Sequence, residues 1–153
     1  MNKKVVIGIG NTLRRDDGVG IVILESLLNF YKKEGVDYLN FGIASFDLLH
    51  RIKNYDKVLF IDGINASLGP GELKIFDLGK IEYDLKGPII SSHELNLKDL
   101  PELSRELGIK AEIFVAGIQV KDVYFGEGLS EELESKKEEI TDAISKFINK
   151  YTS

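Results

Sequence analysis

The sequence predicts an α/β fold: a single three-layer domain over residues 1–153, with an open, mostly parallel twisted sheet of about five strands and helices on both faces. Three observations lead there. Short apolar runs rich in β-branched residues, such as KVVIGIG (4–10) and KVLFID (57–62), have the length and composition of strands buried on both faces. Segments with a helical period separate them, and strands alternating with helices join by right-handed crossovers into a parallel sheet. A chain of 153 residues can bury both faces of one such sheet, and no second domain is expected.

Residues 4–10 read as the central strand, closed by a glycine turn. Ile21, Leu24, Leu28 and Tyr31 then recur at intervals of three, four and three, one face of a helix that Gly35 stops. DYLNFG (37–42) reads as the second strand and SFDLLHRIKN (45–54) as a short helix. The third strand, 57–62, ends on Asp62. GPGELKIFDL (69–78) supplies a turn and another strand, and a helix from about Leu97 to Leu107 closes at Gly108. AEIFVAGIQ (111–119) is the last core strand, followed by an amphipathic helix from about Ser130 to Tyr151.

Composition excludes several classes of function. No apolar run approaches the ~20 residues that cross a bilayer, so a membrane protein is not expected. The first apolar run ends in Gly-Asn-Thr rather than at a small-residue cleavage site, which argues for a cytoplasmic rather than a secreted protein. Twenty basic against 25 acidic residues give a net charge of -5, which disfavours binding nucleic acid through its phosphates. Without cysteine there is no disulfide, thiolate metal site or cysteine nucleophile, so any metal must be held by carboxylate and imidazole.

In open parallel sheets ligands bind at the carboxyl ends of the strands. Three segments bring polar groups there: Asp16 and Asp17 after the first strand, Asp62 at the end of the third, and SSHE (91–94) in a loop leading into a helix. The opening turn is not a dinucleotide fingerprint. Leu13 stands where G-x-G-x-x-G needs its third glycine, and two carboxylates occupy the place of a pyrophosphate. Asp16 is expected to cap the following helix, a role worth about 0.5–2 kcal/mol. That makes Asp17 redundant as a cap and a candidate cation ligand. Asp62 is open to two readings, as a turn cap or as a ligand. His93 sits among polar residues where the chain enters a helix, and Ser91 and Ser92 are read as part of that helix start. His50, within DLLHRI, belongs to a helix surface and is given no chemical role. Two carboxylates and one imidazole suit a divalent first-row metal with open coordination positions. Asp17 and His93 are expected in loops at the sheet edge, where substitutions cost about 0.5 kcal/mol or less.

GIGNTLRRDDGVG (8–20) resembles the opening motif of the hydrogenase maturation endopeptidases, the nickel-dependent processing proteases of NiFe hydrogenase large subunits. LFID (59–62) and SSHE (91–94) follow in the order that family requires, and the resemblance covers nearly the whole chain. It implies a metal-dependent peptidase that removes the C-terminal extension of a hydrogenase large-subunit precursor after nickel insertion. In that family two acids and one histidine contact the metal. These catalytic and metal-contacting roles carry over to Asp17, Asp62 and His93. The nickel is supplied by the precursor, so the enzyme would read the metal centre as the sign of completed assembly. The implied partner is that precursor, and a monomer is expected. Many relatives carry Glu at the position of Asp17, and a glycine-threonine-x-glycine segment common in the family is replaced here by FGIASFDLL (41–49), a loop assigned to precursor recognition. The rival reading is a nickel-binding chaperone or checkpoint module that uses the same three side chains without cutting.

Overall fold

The computed structural model describes residues 2–43, 47–80 and 99–152, and in it the three most apolar runs are the three central strands of one five-stranded sheet. Strands β1 (Lys4–Ile9), β2 (Asp37–Gly42), β3 (Lys57–Ile64), β4 (Leu73–Asp77) and β5 (Glu112–Gln119) lie in the order β2-β1-β3-β5-β4. All neighbours are parallel except β4, which runs antiparallel to β5 at the edge. The described helices are α1 (Val19–Phe30), α2 (Asp47–Ile52), α3 (Leu100–Glu106) and α4 (Glu131–Tyr151).

Side chains alternate across the sheet with period two, and the core divides accordingly. Val5, Ile7 and Ile9 of β1 and Val58, Phe60 and Ile64 of β3 face Leu48, Leu49 and Ile52 of α2 and Leu100 of α3. Val6, Leu59 and Ile61 face the opposite way, toward Ile23, Leu24 and Leu27 of α1 and Ile140, Ile144 and Ile148 of α4. Two apolar layers around one sheet explain why the central strands carry almost no polar residues. Removing a single buried Leu or Ile side chain from either layer should cost about 2–5 kcal/mol.

Two expectations shift in detail. Helix α1 ends at Phe30, ahead of Gly35, and Leu28 and Tyr31 are exposed rather than part of the buried face. The helix is rotated by the contact that Gly20 makes: a Cβ there would sit 2.2 Å from the Ile61 carbonyl oxygen and 2.3 Å from that of Ile9. Gly20, Ile23, Leu24 and Leu27 therefore face the sheet, Leu28 falls at the rim of that stripe, and Tyr31 lies past the last turn. Strand β3 also runs beyond its predicted end, because it pairs with β5 from Lys57 to Ile64. Asp62 lies inside the strand, opposite Gly117.

Helix α4 is anchored at its carboxyl end by lysines from three other segments. Lys4 Nζ donates to the Thr152 carbonyl at 2.9 Å, Lys57 Nζ to that of Tyr151 at 3.0 Å, and Lys33 Nζ to Thr152 Oγ1 at 2.8 Å. The first two bonds satisfy carbonyls that have no intrahelical partner, and all three cations oppose the negative end of the helix dipole.

Candidate active site at the carboxyl edge of the sheet

β1 has β2 on one side and β3 on the other, so the crossovers leave it in opposite directions and open a crevice at the carboxyl ends of β1 and β3. Pairing of β1 with β3 stops at Gly8 with Ile61, whereas β3 continues through Asp62, Gly63 and Ile64. A short 3-10 turn, Arg15–Gly18, packs against that projecting end. The approach is close: a Cβ on Gly63 would lie 3.2 Å from the Asp16 carbonyl oxygen. The turn bearing Asp17 and the strand bearing Asp62 thus meet at one edge, with the two residues only 4% and 1% exposed. By strand alternation Asp62 shares the side of Phe60 and Ile64, the face covered by α2 and α3.

The turn is held tightly. Gly10 has φ 157°, and a Cβ there would fall 2.3 Å from the Asp17 carbonyl oxygen, so only glycine allows the chain to fold back this closely. The Asn11 N–H donates to Asp17 Oδ2 at 3.3 Å. Asp17 is therefore a buried residue of a rigid turn and not, as its position in sequence suggests, part of an exposed loop where substitution is almost free.

Asp16 corrects a second expectation. The residue flanking α1 is Gly18, and no side chain caps that helix. Asp16 instead reaches across to the segment after β5. Its Oδ2 accepts from the backbone N–H groups of Lys121 and Asp122, both at 2.9 Å, and from Ser130 Oγ at 2.8 Å. Its Oδ1 accepts from the Ser130 N–H at 2.6 Å. Ser130 flanks the amino end of α4, so this fully buried carboxylate also faces the positive end of that helix. Arg15, next to it, adopts a left-handed backbone with φ 46°, a conformation that costs an L-residue about 1–2 kcal/mol. Its guanidinium compensates by bonding to Asp122 and to the carbonyls of Gly128 and Leu129.

Gln119, also missed in the sequence, performs a matching task at the end of β5. Its Oε1 accepts from the N–H groups of Ala66 and Leu68 at 2.8 and 3.2 Å, and its Nε2 donates to Asn65 Oδ1 and to the Val120 carbonyl. The segment after β3 is thereby fixed behind Asp62. A glutamine closing the apolar run Ile113–Ile118 was the available signal.

His93, Ser91 and Ser92 lie outside the described residues, as do residues 44–46 of the FGIASFDLL loop. His50 is exposed on α2, consistent with a surface role. Among the described residues no group of three or more His, Cys, Asp and Glu side chains is disposed to hold a metal ion. Asp17 and Asp62 are the described part of the predicted set.

A sequence model of the hydrogenase maturation proteases matches residues 21–148, most of the chain. The chain belongs to that family. Within it, the protein is 29% identical over 156 aligned residues to a putative hydrogenase maturation protease from Methanocaldococcus jannaschii, covering 95% of this chain and 88% of that one. It is 26% identical over 137 residues to the hydrogenase expression/formation protein HoxM of Azotobacter vinelandii, covering 88% of this chain but 66% of the relative. The chain thus spans just under two thirds of the length of that longer relative. This family member also superposes on the hydrogenase-maturating endopeptidase HybD from E. coli with a TM-score of 0.81 at 25% identity, over 97% of this chain and 93% of the other. A hydrogenase maturation protease, HycI, from Thermococcus kodakarensis gives a TM-score of 0.75 at 27% identity over the same shares. The shared architecture is the five-stranded, mostly parallel sheet with helices described above. Among the described residues no helix is long and apolar enough to cross a membrane.

Proposed function

We propose that this protein is an endopeptidase that removes the C-terminal extension of a NiFe hydrogenase large-subunit precursor once nickel has been inserted, with Asp17, Asp62 and His93 contacting the precursor's nickel. The observation that carries the reading is the pair of buried carboxylates that two different elements deliver to the crevice between β1 and β3. Carboxylates withdrawn from water attract a cation far more strongly than exposed ones, because the effective dielectric around them is lower. With His93 they make a donor set of oxygen and nitrogen that fits a divalent first-row ion and leaves coordination positions open to the substrate's own ligands.

Peptide hydrolysis needs an activated water and a polarised carbonyl. A carboxylate oxygen of the pair that does not ligate the metal would accept the proton of an attacking water, while the nickel, brought by the precursor, would fix the scissile bond at the sheet edge. The preference for a metallated precursor follows: the nickel is the part of the substrate that this donor set recognises, so a precursor without it offers the three side chains nothing to coordinate. The test is to incubate the purified protein with nickel-loaded precursor and record the intact mass of the large subunit. Loss of one C-terminal peptide supports the protease. Stable binding with unchanged mass would replace it with the non-cleaving checkpoint module.

A further inference from the structure

Resting on that reading, we propose that Leu13, Tyr124 and Phe125 form the docking surface on which the precursor polypeptide is held beside Asp17. These three are 60%, 80% and 84% exposed, the two aromatics among the most exposed large apolar side chains described. They come from two loops that are far from loose. The Gly126 N–H donates to the Leu13 carbonyl at 2.9 Å, the Arg15 N–H to the Gly126 carbonyl at 3.1 Å, and the Asp16 N–H to the Asp122 carbonyl at 2.8 Å. Arg14 Nε donates to the Val123 carbonyl at 3.1 Å, and its guanidinium lies over the Phe125 ring, 5.6 Å from the centroid. With the four bonds to Asp16 these contacts lock both loops together.

A loop this heavily tied, yet presenting its apolar side chains outward, is not being ordered in order to bury them in its own core. Such a surface loses little conformational freedom on binding, the property that concentrates affinity in a few aromatic contacts. Its position identifies the occupant. Leu13 belongs to the same turn as Asp17: its N–H is held by Asn11 Oδ1, and the Asn11 N–H is bonded to Asp17 Oδ2. A chain resting on the patch therefore lies within one turn of the carboxylate proposed to meet the nickel. The size argues against a second copy of this protein. Three side chains at these exposures offer roughly 400 Å², about half of what one partner contributes to a stable interface. A short apolar segment of the precursor, flanking its metal centre, is the partner that fits a surface this small and this close to the site.

The experiment is steady-state cleavage of nickel-loaded precursor by the wild type, Tyr124→Ala/Phe125→Ala, Leu13→Ser and, as control, Phe30→Ala. Phe30 is 77% exposed but lies at the far end of α1, toward the opposite edge of the sheet. The double variant and Leu13→Ser should raise KM at least tenfold with kcat changed less than threefold, and Phe30→Ala should leave KM as it is. Circular dichroism confirms folding, and sedimentation of wild type and variants follows the oligomeric state. Cleavage by the wild type with KM unaltered in both patch variants overturns the docking surface while leaving the protease intact. A wild-type dimer that the patch variants dissolve overturns it as well, assigning the patch to self-association. No cleavage by the wild type removes the protease reading and the docking proposal together.

Discussion

Asp16→Ala should unfold the connection between the first turn and α4, and its cost can be worked from the four bonds the carboxylate accepts. Two of the donors, the N–H and Oγ of Ser130, are buried, and each would lose its partner with no water to replace it. A buried donor left in this way costs about 1–3 kcal/mol. The N–H groups of Lys121 and Asp122 are part-buried, so water can recover much of their loss. The expected total is about 3–5 kcal/mol, a large part of the 5–15 kcal/mol that holds a typical domain. Asp16→Asn should fall between wild type and Ala. One amide oxygen can serve the three donors on Oδ2, but the NH2 group then opposes the Ser130 N–H, which sits 2.6 Å from Oδ1. Urea denaturation followed by circular dichroism measures each loss, and a cycle with Ser130→Ala should return a coupling of about 1–2 kcal/mol. A loss below about 1 kcal/mol for Asp16→Ala, or strict additivity with Ser130→Ala, would refute the assignment of Asp16 as the tie between the two loops.

Other consequences are equally specific. Asp17→Asn and Asp62→Asn keep side-chain shape but remove a charge each, and should reduce precursor processing at least a hundredfold by a gel or mass assay; normal rates in both would remove the site assignment. Gly20→Ala should cost at least about 3 kcal/mol in denaturant, since its new methyl meets two strand carbonyls whose backbone cannot move aside, and a near-neutral result would show that α1 sits further from the sheet. Burial first, then its hydrogen bond to Glu112, pushes the Tyr151 phenol above its ordinary value of 10. A raised folded-state value means its contribution to stability is complete below about pH 10 and is lost as pH rises toward the folded value. The melting temperature of wild type should therefore fall more steeply above that pH than that of Tyr151→Phe, and parallel curves would contradict the shift.

What could be read from the sequence divides along the range of the interactions involved. Strand β2 was legible to its ends, and β1, β5 and α4 to within a residue, because their signals are local: β-branched runs, a period of two or 3.6, and a glycine or a change of polarity at each end. Asp16 was misassigned because its partners stand 105 to 114 residues away, and a turn aspartate with a helix ahead offers capping as the only local explanation. Asp62 was read as the end of β3 because nothing in that segment announces that β5 would extend the pairing two residues further. That the turn after β1 and the end of β3 meet at one edge of the sheet was legible, since the alternation of strands and helices dictates where the strand ends collect. The VYFGEG stretch after Asp122 carried a signal that was passed over: large apolar residues in a loop, matching neither the helical nor the strand period and so belonging to no buried face.

The central claim is that buried acids at this edge read a nickel centre and license cleavage. The most direct measurement is the intact mass of the large subunit after incubation of one precursor in two forms, nickel-loaded and nickel-free with chelator throughout, with wild type and with Asp17→Asn, Asp62→Asn and His93→Ala. The account predicts loss of the C-terminal peptide only from the nickel-loaded precursor and only with the wild-type protein. Efficient cleavage of the chelated, nickel-free precursor, or wild-type rates from all three variants, would contradict it.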